Sequence, residues 1–494
     1  MVSCLAVAGW LAVGSGPTVR AAVVDAGAEA SFRNAQPEEL VRLAGPRGAV
    51  ESFQLVIRAG GATEVRAVAQ PFDGLVAGVE AFVVEKPDAL RPLGEEPVAV
   101  RPGATLTMWV DVEVPTTAAP GTYRGAVALV APERRLTFPL ELTVWPLSVP
   151  ATASLPVRLG VDRDTALRAR ELEPGGAGDA LLLQYEMAGL RHRISLAGLA
   201  PSASGPDWAA YDAFFGPLLD GSAAGGARMT LLDLQLPTTL ADAQADEVAR
   251  HLSERGWADR AVLVLEAGEA AAQRLRADAL RRAVPGGRVI GPGLPQRPLF
   301  GATDGWSPAV CEVDREGVHE ALRSRLAAGE SVFWRVSNAG AKCGPAEGPG
   351  FATLDVRRPP MAPRALPWLA WLYGASGLTA RAPLGSTERA TAGLFYDSPM
   401  LSAGDAPMAS VRLKRLREGL VDYELLVLLE SETTRLTAER VAMKIARRAD
   451  DWETDPGAYA EARAWLVHEI VLAREAQGPP LVTAPMRSPG SGGG

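Results

Sequence analysis

Histidine and cysteine are scarce in this chain, with 4 and 3 in 494 residues. The histidines (His192, His251, His319 and His468) are scattered, and no C-x-x-C pair or Cys/His cluster is present. That pattern excludes a zinc site built from Cys and His, and neither a metal nor a cofactor is expected. Cys4 lies in an apolar leader-like run, and Cys311 and Cys343 are expected as two free thiols. An excess of basic charge is also missing. Lys and Arg total 50 against 58 acidic residues, a formal net charge of -8. A nucleic-acid partner needs a basic face, so none is expected, nor is an anionic membrane surface. Long hydrophobic runs are lacking as well. The apolar run at 4–13 is too short to cross a bilayer, so no membrane insertion is expected. It has the length of a signal-peptide core, although no Lys or Arg precedes it, and Val19-Arg20-Ala21 offers a cleavage site. Residues 1–21 are therefore expected to be a signal peptide and the protein to be exported, to the periplasm, cell surface or exterior; without that function for the run it would be cytoplasmic. The tail, 478–494, reads as flexible.

What is present is enough apolar sequence, 47%, to bury sizeable cores, and a length that implies more than one domain. In TLTMWVDVEV, Leu106, Met108, Val110, Val112 and Val114 alternate with more polar positions; in RLTFPLELTVW, Leu136, Phe138, Leu140, Leu142 and Val144 do the same. Period-two alternation means strands with one buried face, and residues 22–150 are expected to form a β-sandwich. Beyond Pro150 short apolar strands alternate with helical stretches. The expected strands are PVRLGVD, RISLAGL, RMTLLDLQL, AVLVLEA, GRVIGPG, AVCEVD, SVFWRVSN and SGLTARA, with helices around 180–190, 211–219, 241–255, 270–283 and 317–326. Such alternation is the pattern of a (β/α)8 barrel, expected over 151–400, with C-terminal helices packed on it over 401–477.

The most distinctive segment is SVRLKRLREGLVDYELLVLLE at 410–430. Leu413, Leu416, Leu420, Tyr423 and Val427 form one helical stripe, Ser410 is a candidate N-cap, and Arg412, Lys414, Arg417, Glu418 and Asp422 lie off the stripe. Its run R-x-x-x-L-R-x-G-x-x-D-Y-E-x-L resembles the C-terminal signature of domain-of-unknown-function family 4091, which overlaps glycoside hydrolase family 123, the β-N-acetylgalactosaminidases. GPRGAVESFQLVIRAG, WVDVEVPTTAAPGTYRGAV, HRISL, ERGWADRAVLVLEAGE and DVRRPPMAPRALPWLAWLYGASGL resemble further family segments in the same order. The resemblance implies a β-sandwich followed by a barrel and a carbohydrate ligand. It also implies substrate-assisted hydrolysis, in which the sugar's own acetamido oxygen attacks while a Glu donates a proton and a preceding Asp stabilises the charged intermediate.

In this chain the corresponding residues are Leu265 and Glu266. The proton-donor position keeps its carboxylate as Glu266, while the stabilising Asp is replaced by a leucine. Alternation through AVLVLE places Glu266 on the side of Val262 and Val264, facing the barrel mouth, and Leu265 with Leu263 against the helices. Thr379-Ala380-Arg381 stand where the family tends to carry aromatics. Asp233 and Asp304, with Asp162, Asp164 and Glu269, fall near predicted strand ends and are candidate second acids; each also has an ordinary role as a cap or a hydrogen-bonded core group. Trp306 and Trp334 are candidate sugar-stacking platforms or simply packing residues, and Asp355 a candidate pocket residue or loop cap. His192 is a candidate for the active face or a satisfied core histidine. Two readings remain open: a glycoside hydrolase with Glu266 as general acid, or a catalytically degenerate relative that binds carbohydrate or serves as a scaffold.

Overall fold

The computed structural model describes residues 19–35, 40–199, 208–234, 236, 241–265, 267–336, 348–386, 393–397, 401–402 and 404–477. Ten N-terminal strands come first: β1 (Val19–Asp25), β2 (Val41–Arg47), β3 (Val50–Ala59), β4 (Thr63–Gln70), β5 (Val79–Glu85), β6 (Ala89–Pro92), β7 (Val98–Val100), β8 (Thr105–Glu113), β9 (Gly121–Ala131) and β10 (Arg134–Ser148). They form two five-stranded sheets, ordered β1-β3-β8-β5-β6 and β2-β10-β9-β4-β7. The alternating residues meet between them as expected: Met108, Val110 and Val112 of β8 share a core with Leu140, Leu142 and Val144 of β10. β1 begins at Val19, which is buried and pairs with Ala59, so the first strand takes in residues assigned above to the leader.

The second half contains eight parallel strands: β11 (Val157–Gly160), β12 (Ser195–Ala197), β13 (Leu232–Asp233), β14 (Ala261–Val264), β15 (Arg288–Pro292), β16 (Gly305–Ser307), β17 (Ser331–Arg335) and β18 (Gly377–Arg381). Their order is β12-β11-β18-β17-β16-β15-β14-β13, so the sheet curls until the first and last strands pair. Across the gap between β12 and β13, the Ser195 hydroxyl accepts from the backbone N–H of Thr230 at 3.0 Å. Helices α1 (Arg163–Ala169), α2 (Ala177–Arg191), α3 (Trp208–Asp220), α4 (Asp242–Arg255), α5 (Ala270–Ala283), α6 (Val318–Ala327) and α7 (Ala362–Tyr373) lie between the strands in sequence, and the predicted helical stretches coincide with α2 to α6.

Two expectations are corrected. AVCEVD is not the sixth strand; Val310–Glu312 forms a single helical turn, with the Glu312 carboxylate accepting from the Ala309 N–H at 2.8 Å. The strand is Gly305–Ser307 instead, where a side chain at Gly305 would sit 2.3 Å from the Ser331 carbonyl oxygen, so only glycine lets β16 and β17 meet. Cys311 is disulfide-bonded rather than a free thiol, and its partner, like Cys343, lies outside the described residues.

The larger surprise is α8 (Val411–Glu432). Ser410 caps it as expected, its hydroxyl accepting from the Leu413 N–H at 3.1 Å. The helix is not amphipathic in its setting, because Arg412, Lys414, Arg415, Arg417, Glu418 and Asp422 are buried along with the apolar stripe. It runs between the two halves of the molecule. Lys414 and Arg417 both pair with Asp111 of β8, at 2.7 and 3.0 Å, and Arg412 pairs with Asp88 at 2.8 Å. Burial would raise the Asp111 carboxyl, but Arg417 and Lys414 overcome it and hold the group well below the usual carboxylate range. Two further helices, α9 (Arg435–Ile445) and α10 (Pro456–Gln477), complete the described chain, and Arg463 of α10 joins Asp422 to Glu51 of β3.

Within this network burial pushes the Glu418 carboxyl up to about 7, against the opposing pull of Arg364 and Arg463. A carboxyl raised in the folded state stabilises fully below its unfolded value and loses that contribution as pH rises through the folded one. His192, whose charge is disfavoured by burial and by Lys414 and Arg417, acts oppositely by weakening the fold as pH falls. The informative comparison is therefore between proteins at each pH. Glu418→Gln is expected to gain stability relative to the parent between pH 4.5 and 8, by on the order of 3 kcal/mol in all. Urea unfolding across that range measures it, and a pH-independent offset would contradict the assignment.

Candidate functional site

Side-chain alternation sorts the curled sheet into two faces. Leu231, Val262, Ile290 and Phe333, with Val264, fill its interior. Leu159, Leu196, Leu263, Leu265, Val289, Val332, Trp334 and Leu378 join the core that faces the helices. The expected sidedness of Val262, Val264, Leu263 and Leu265 is thus correct. Leu265 continues the ladder, its N–H donating to the Ile290 carbonyl at 2.9 Å, and is only 5% exposed. Glu266, the candidate proton donor, lies outside the described residues.

In parallel sheets, ligands gather where strands deliver their C-terminal ends. Three neighbouring strands place polar residues on the interior side there. Val157 and Leu159 face the helices, so Arg158 and Gly160 face inward. By the same parity Thr379 and Arg381 of β18, and Arg335 of β17, face inward too. Thr379 stands in register with Arg158 on one side and Arg335 on the other, and Gly160 with Arg381. A Cβ at Gly160 would meet only the Ala380 carbonyl, at 3.7 Å, and an Arg158 guanidinium nitrogen, at 3.9 Å. Space therefore remains beside Arg381, which is exposed at the strand end. The Arg335 Nε is buried without a hydrogen-bond partner. None of these arginines was singled out as a site residue from sequence, although the alternation in PVRLGVD, SVFWRV and GLTARA carries the signal.

The other predicted residues scatter. Asp233 closes β13 in register with Val262, and its backbone alone is described. Asp304 belongs to the opposite end of the sheet. It precedes β16, and its carboxylate accepts from the Val289 N–H at 2.8 Å and pairs with Arg281. Its placement follows from the shifted sixth strand, as does that of Trp306. Trp306 is fully buried, donates from Nε1 to Glu330 at 2.6 Å and meets Phe300 edge-on, so it packs rather than cradles a ring. Trp334 faces the helices, edge-on to Tyr373 of α7 at 5.1 Å. Asp355 lies in a loop, where hydrogen bonds from Arg357 hold its carboxyl at about 2. Asp162 caps α1 by accepting from the Thr165 N–H, Asp164 lies in that helix's first turn, and Glu269 occupies the N-cap position of α5 without a side-chain cap bond. His192 ends α2, its Nδ1 2.7 Å from the Ala188 carbonyl oxygen, ahead of β12 and away from the strand ends that face the pocket. Among the described residues no group of His, Cys, Asp and Glu is arranged to hold a metal, and no helix is long and apolar enough to cross a membrane.

No family model matches the sequence, and no curated protein does. Solved structures do match. A family 123 glycoside hydrolase from Clostridium perfringens, described for glycolipid glycan hydrolysis, superposes with a TM-score of 0.67 at 11% identity, over 93% of this chain and 99% of its own. A putative α-galactosidase/melibiase from Bacteroides fragilis reaches a TM-score of only 0.27 at 11% identity, over 78% of this chain and 77% of its own, and carries no argument. The fold of this chain, across both halves, is therefore that of a family 123 glycoside hydrolase.

Proposed function

We propose that this chain is a glycoside-hydrolase-like protein that engages a glycan, such as an N-acetylhexosamine glycan, at the C-terminal ends of its parallel strands. One observation carries the reading: the likeness to the C. perfringens glycan hydrolase spans both halves, at 93% of this chain. We take the curled sheet as a (β/α)8 barrel open at one seam, with the C-terminal helices as its cap. Glu266 follows β14 directly and is the candidate general acid. The interior position of Val262 and Val264 supports that role, since Glu266 has the same parity as these two residues in the sequence AVLVLE. The apolar run at 4–13 and the disulfide at Cys311 fit an exported protein.

A second reading has its own support. Leu265, at the position where the family resemblance expects the stabilising acid, is a buried residue of the helix-facing core, and so is Ala380. A relative with this pocket binds a glycan without cleaving it. Aryl β-N-acetylgalactosaminide and β-N-acetylglucosaminide separate the two readings. For the enzyme, Glu266→Gln is expected to lower turnover by about 10²–10⁴-fold, the usual contribution of a positioned general acid. No turnover in the parent, with glycan binding measurable by calorimetry, selects the binding protein. Neither turnover nor glycan binding removes both.

A further inference from the structure

We infer that the pocket selects a glycan bearing an anionic group, a carboxylate or a sulfate, received by Arg335 and Arg381 across Thr379. This rests on the glycan reading above and names the substrate class. Thr379 is flanked on adjacent strands by Arg158 and Arg335, and Arg381 lies two residues farther toward the C-terminal end of the same strand, beside Gly160. All four side chains share the interior face by alternation. Adjacent strands are about 4.8 Å apart, so Arg158 and Arg335, on either side of the Thr379 strand, start about 10 Å apart. On the β11 side Gly160 carries no side chain, and an Arg158 guanidinium nitrogen lies 3.9 Å from where its Cβ would be.

Charge balance points the same way. The chain as a whole is acidic, at -8, yet cationic residues come together on these three neighbouring strands. Among the described residues neither Arg335 nor Arg381 forms an ion pair, whereas most of the buried arginines on α7, α8 and α10 do. The Arg335 Nε is buried and unmet, and buried donors in folded proteins are seldom left so without a partner from solvent or ligand. Apolar residues Phe333, Ile290 and Val262 close the interior beneath, which strengthens any charge contact made above them. The candidate acids stand elsewhere in the sheet: Asp233 is on β13 and Glu266 follows β14, and β15 and β16 separate that strand from β17. A planar guanidinium meets a carboxylate or sulfate through two parallel N–H bonds, a geometry that neutral hydroxyls do not reward equally.

The test uses the full chain and matched oligosaccharides of alternating N-acetylhexosamine and uronate: the native carboxylate form, its carboxyl-reduced neutral form, and a form sulfated after reduction. Calorimetry is expected to show one or both acidic forms binding at least about tenfold more tightly than the neutral one, with the preference shrinking as salt rises. The two acidic arms identify which anion is taken. Arg335→Ala and Arg381→Ala are each expected to collapse the ratio of acidic to neutral affinity toward one, and Arg335→Lys to retain part of it. Because Arg381 is exposed, its variant folds even where Arg335→Ala does not, and thermal melts establish which variants are compared. Equal affinity of the parent for acidic and neutral forms overturns the inference while leaving the glycan reading intact. An acidic preference that survives both alanine variants also overturns it. Failure of every form to bind overturns the glycan reading itself, and the inference with it.

Discussion

Asp422→Ala is expected to destabilise the protein by about 3–5 kcal/mol, the range seen when one partner of a buried ion pair is removed. Asp422 is fully buried on α8. One carboxylate oxygen accepts from Arg364 Nε at 2.8 Å and Trp368 Nε1 at 3.0 Å, and the other from Arg463 Nε at 2.6 Å. Alanine would strand two guanidinium groups and an indole N–H in an apolar surround. Among the described residues Arg364 would keep one ion pair, to Glu418 at 3.2 Å, and Arg463 one, to Glu51, with a bond to the Glu418 carbonyl. Asp422→Asn preserves the shape and loses the charge, so most of the cost is expected there too. Replacing Asp422, Arg364 and Arg463 together by apolar residues of similar volume should recover much of the loss, because the penalty lies in uncompensated charge. The shift in urea midpoint measures each variant. A loss below about 1 kcal/mol for Asp422→Ala would mean that water reaches the network and screens it. Coupling to the N-terminal half is expected as well: a double-mutant cycle with Glu51→Ala should be non-additive, since Arg463 bridges both acids.

This network also marks the limit of what the sequence can disclose. The alternating apolar residues of β8 and β10 were legible because each strand carries its own period. The opposite face of β8 was not. Trp109 and Asp111 look solvent-facing in sequence, yet both are buried, because α8 lies across them from some 300 residues away, at a separation of 303 for the Lys414–Asp111 pair. No local pattern encodes a partner so distant; the sequence places the charges of α8 off its apolar stripe, where Arg417 and Asp422 read as structural salt-bridge residues, but it does not name their partners. At the candidate site, parity was legible wherever the strand itself was placed correctly, as in AVLV. For Trp334 the packing alternative holds, because the same parity, between Phe333 and Arg335, turns it outward. Asp304 and Trp306 take their ordinary alternatives, a hydrogen-bonded polar group and a packing residue, because the sixth strand starts earlier than AVCEVD, at a glycine that permits close strand approach.

Leu265→Asp is expected to cost about 5 kcal/mol without creating any hydrolysis, and it bears directly on whether the pocket has lost a catalytic acid. Leu265 sits with Leu263 in the core facing the helices, nearly inaccessible to water. Removing its side chain from that core costs several kcal/mol by itself, as in other leucine truncations. An aspartate there must also bury its carboxyl, and it will do so protonated, with its pKa driven upward. Stability is therefore expected to fall further as pH rises through that raised value, so the deficit is larger at pH 8 than at pH 5. Leu265→Ala supplies the reference, showing the packing loss without the pH dependence. Ala380, also in the helix-facing core, will not accept an aromatic without overpacking, whereas Thr379 faces the interior between Arg158 and Arg335. Urea midpoints at both pH values, with an aryl N-acetylhexosaminide assay on the same samples, provide the measurement. A variant as stable as the parent, or one that gains turnover, would show that the end of β14 turns residue 265 into the pocket. Leu265 would then be a lost catalytic position rather than a packing residue.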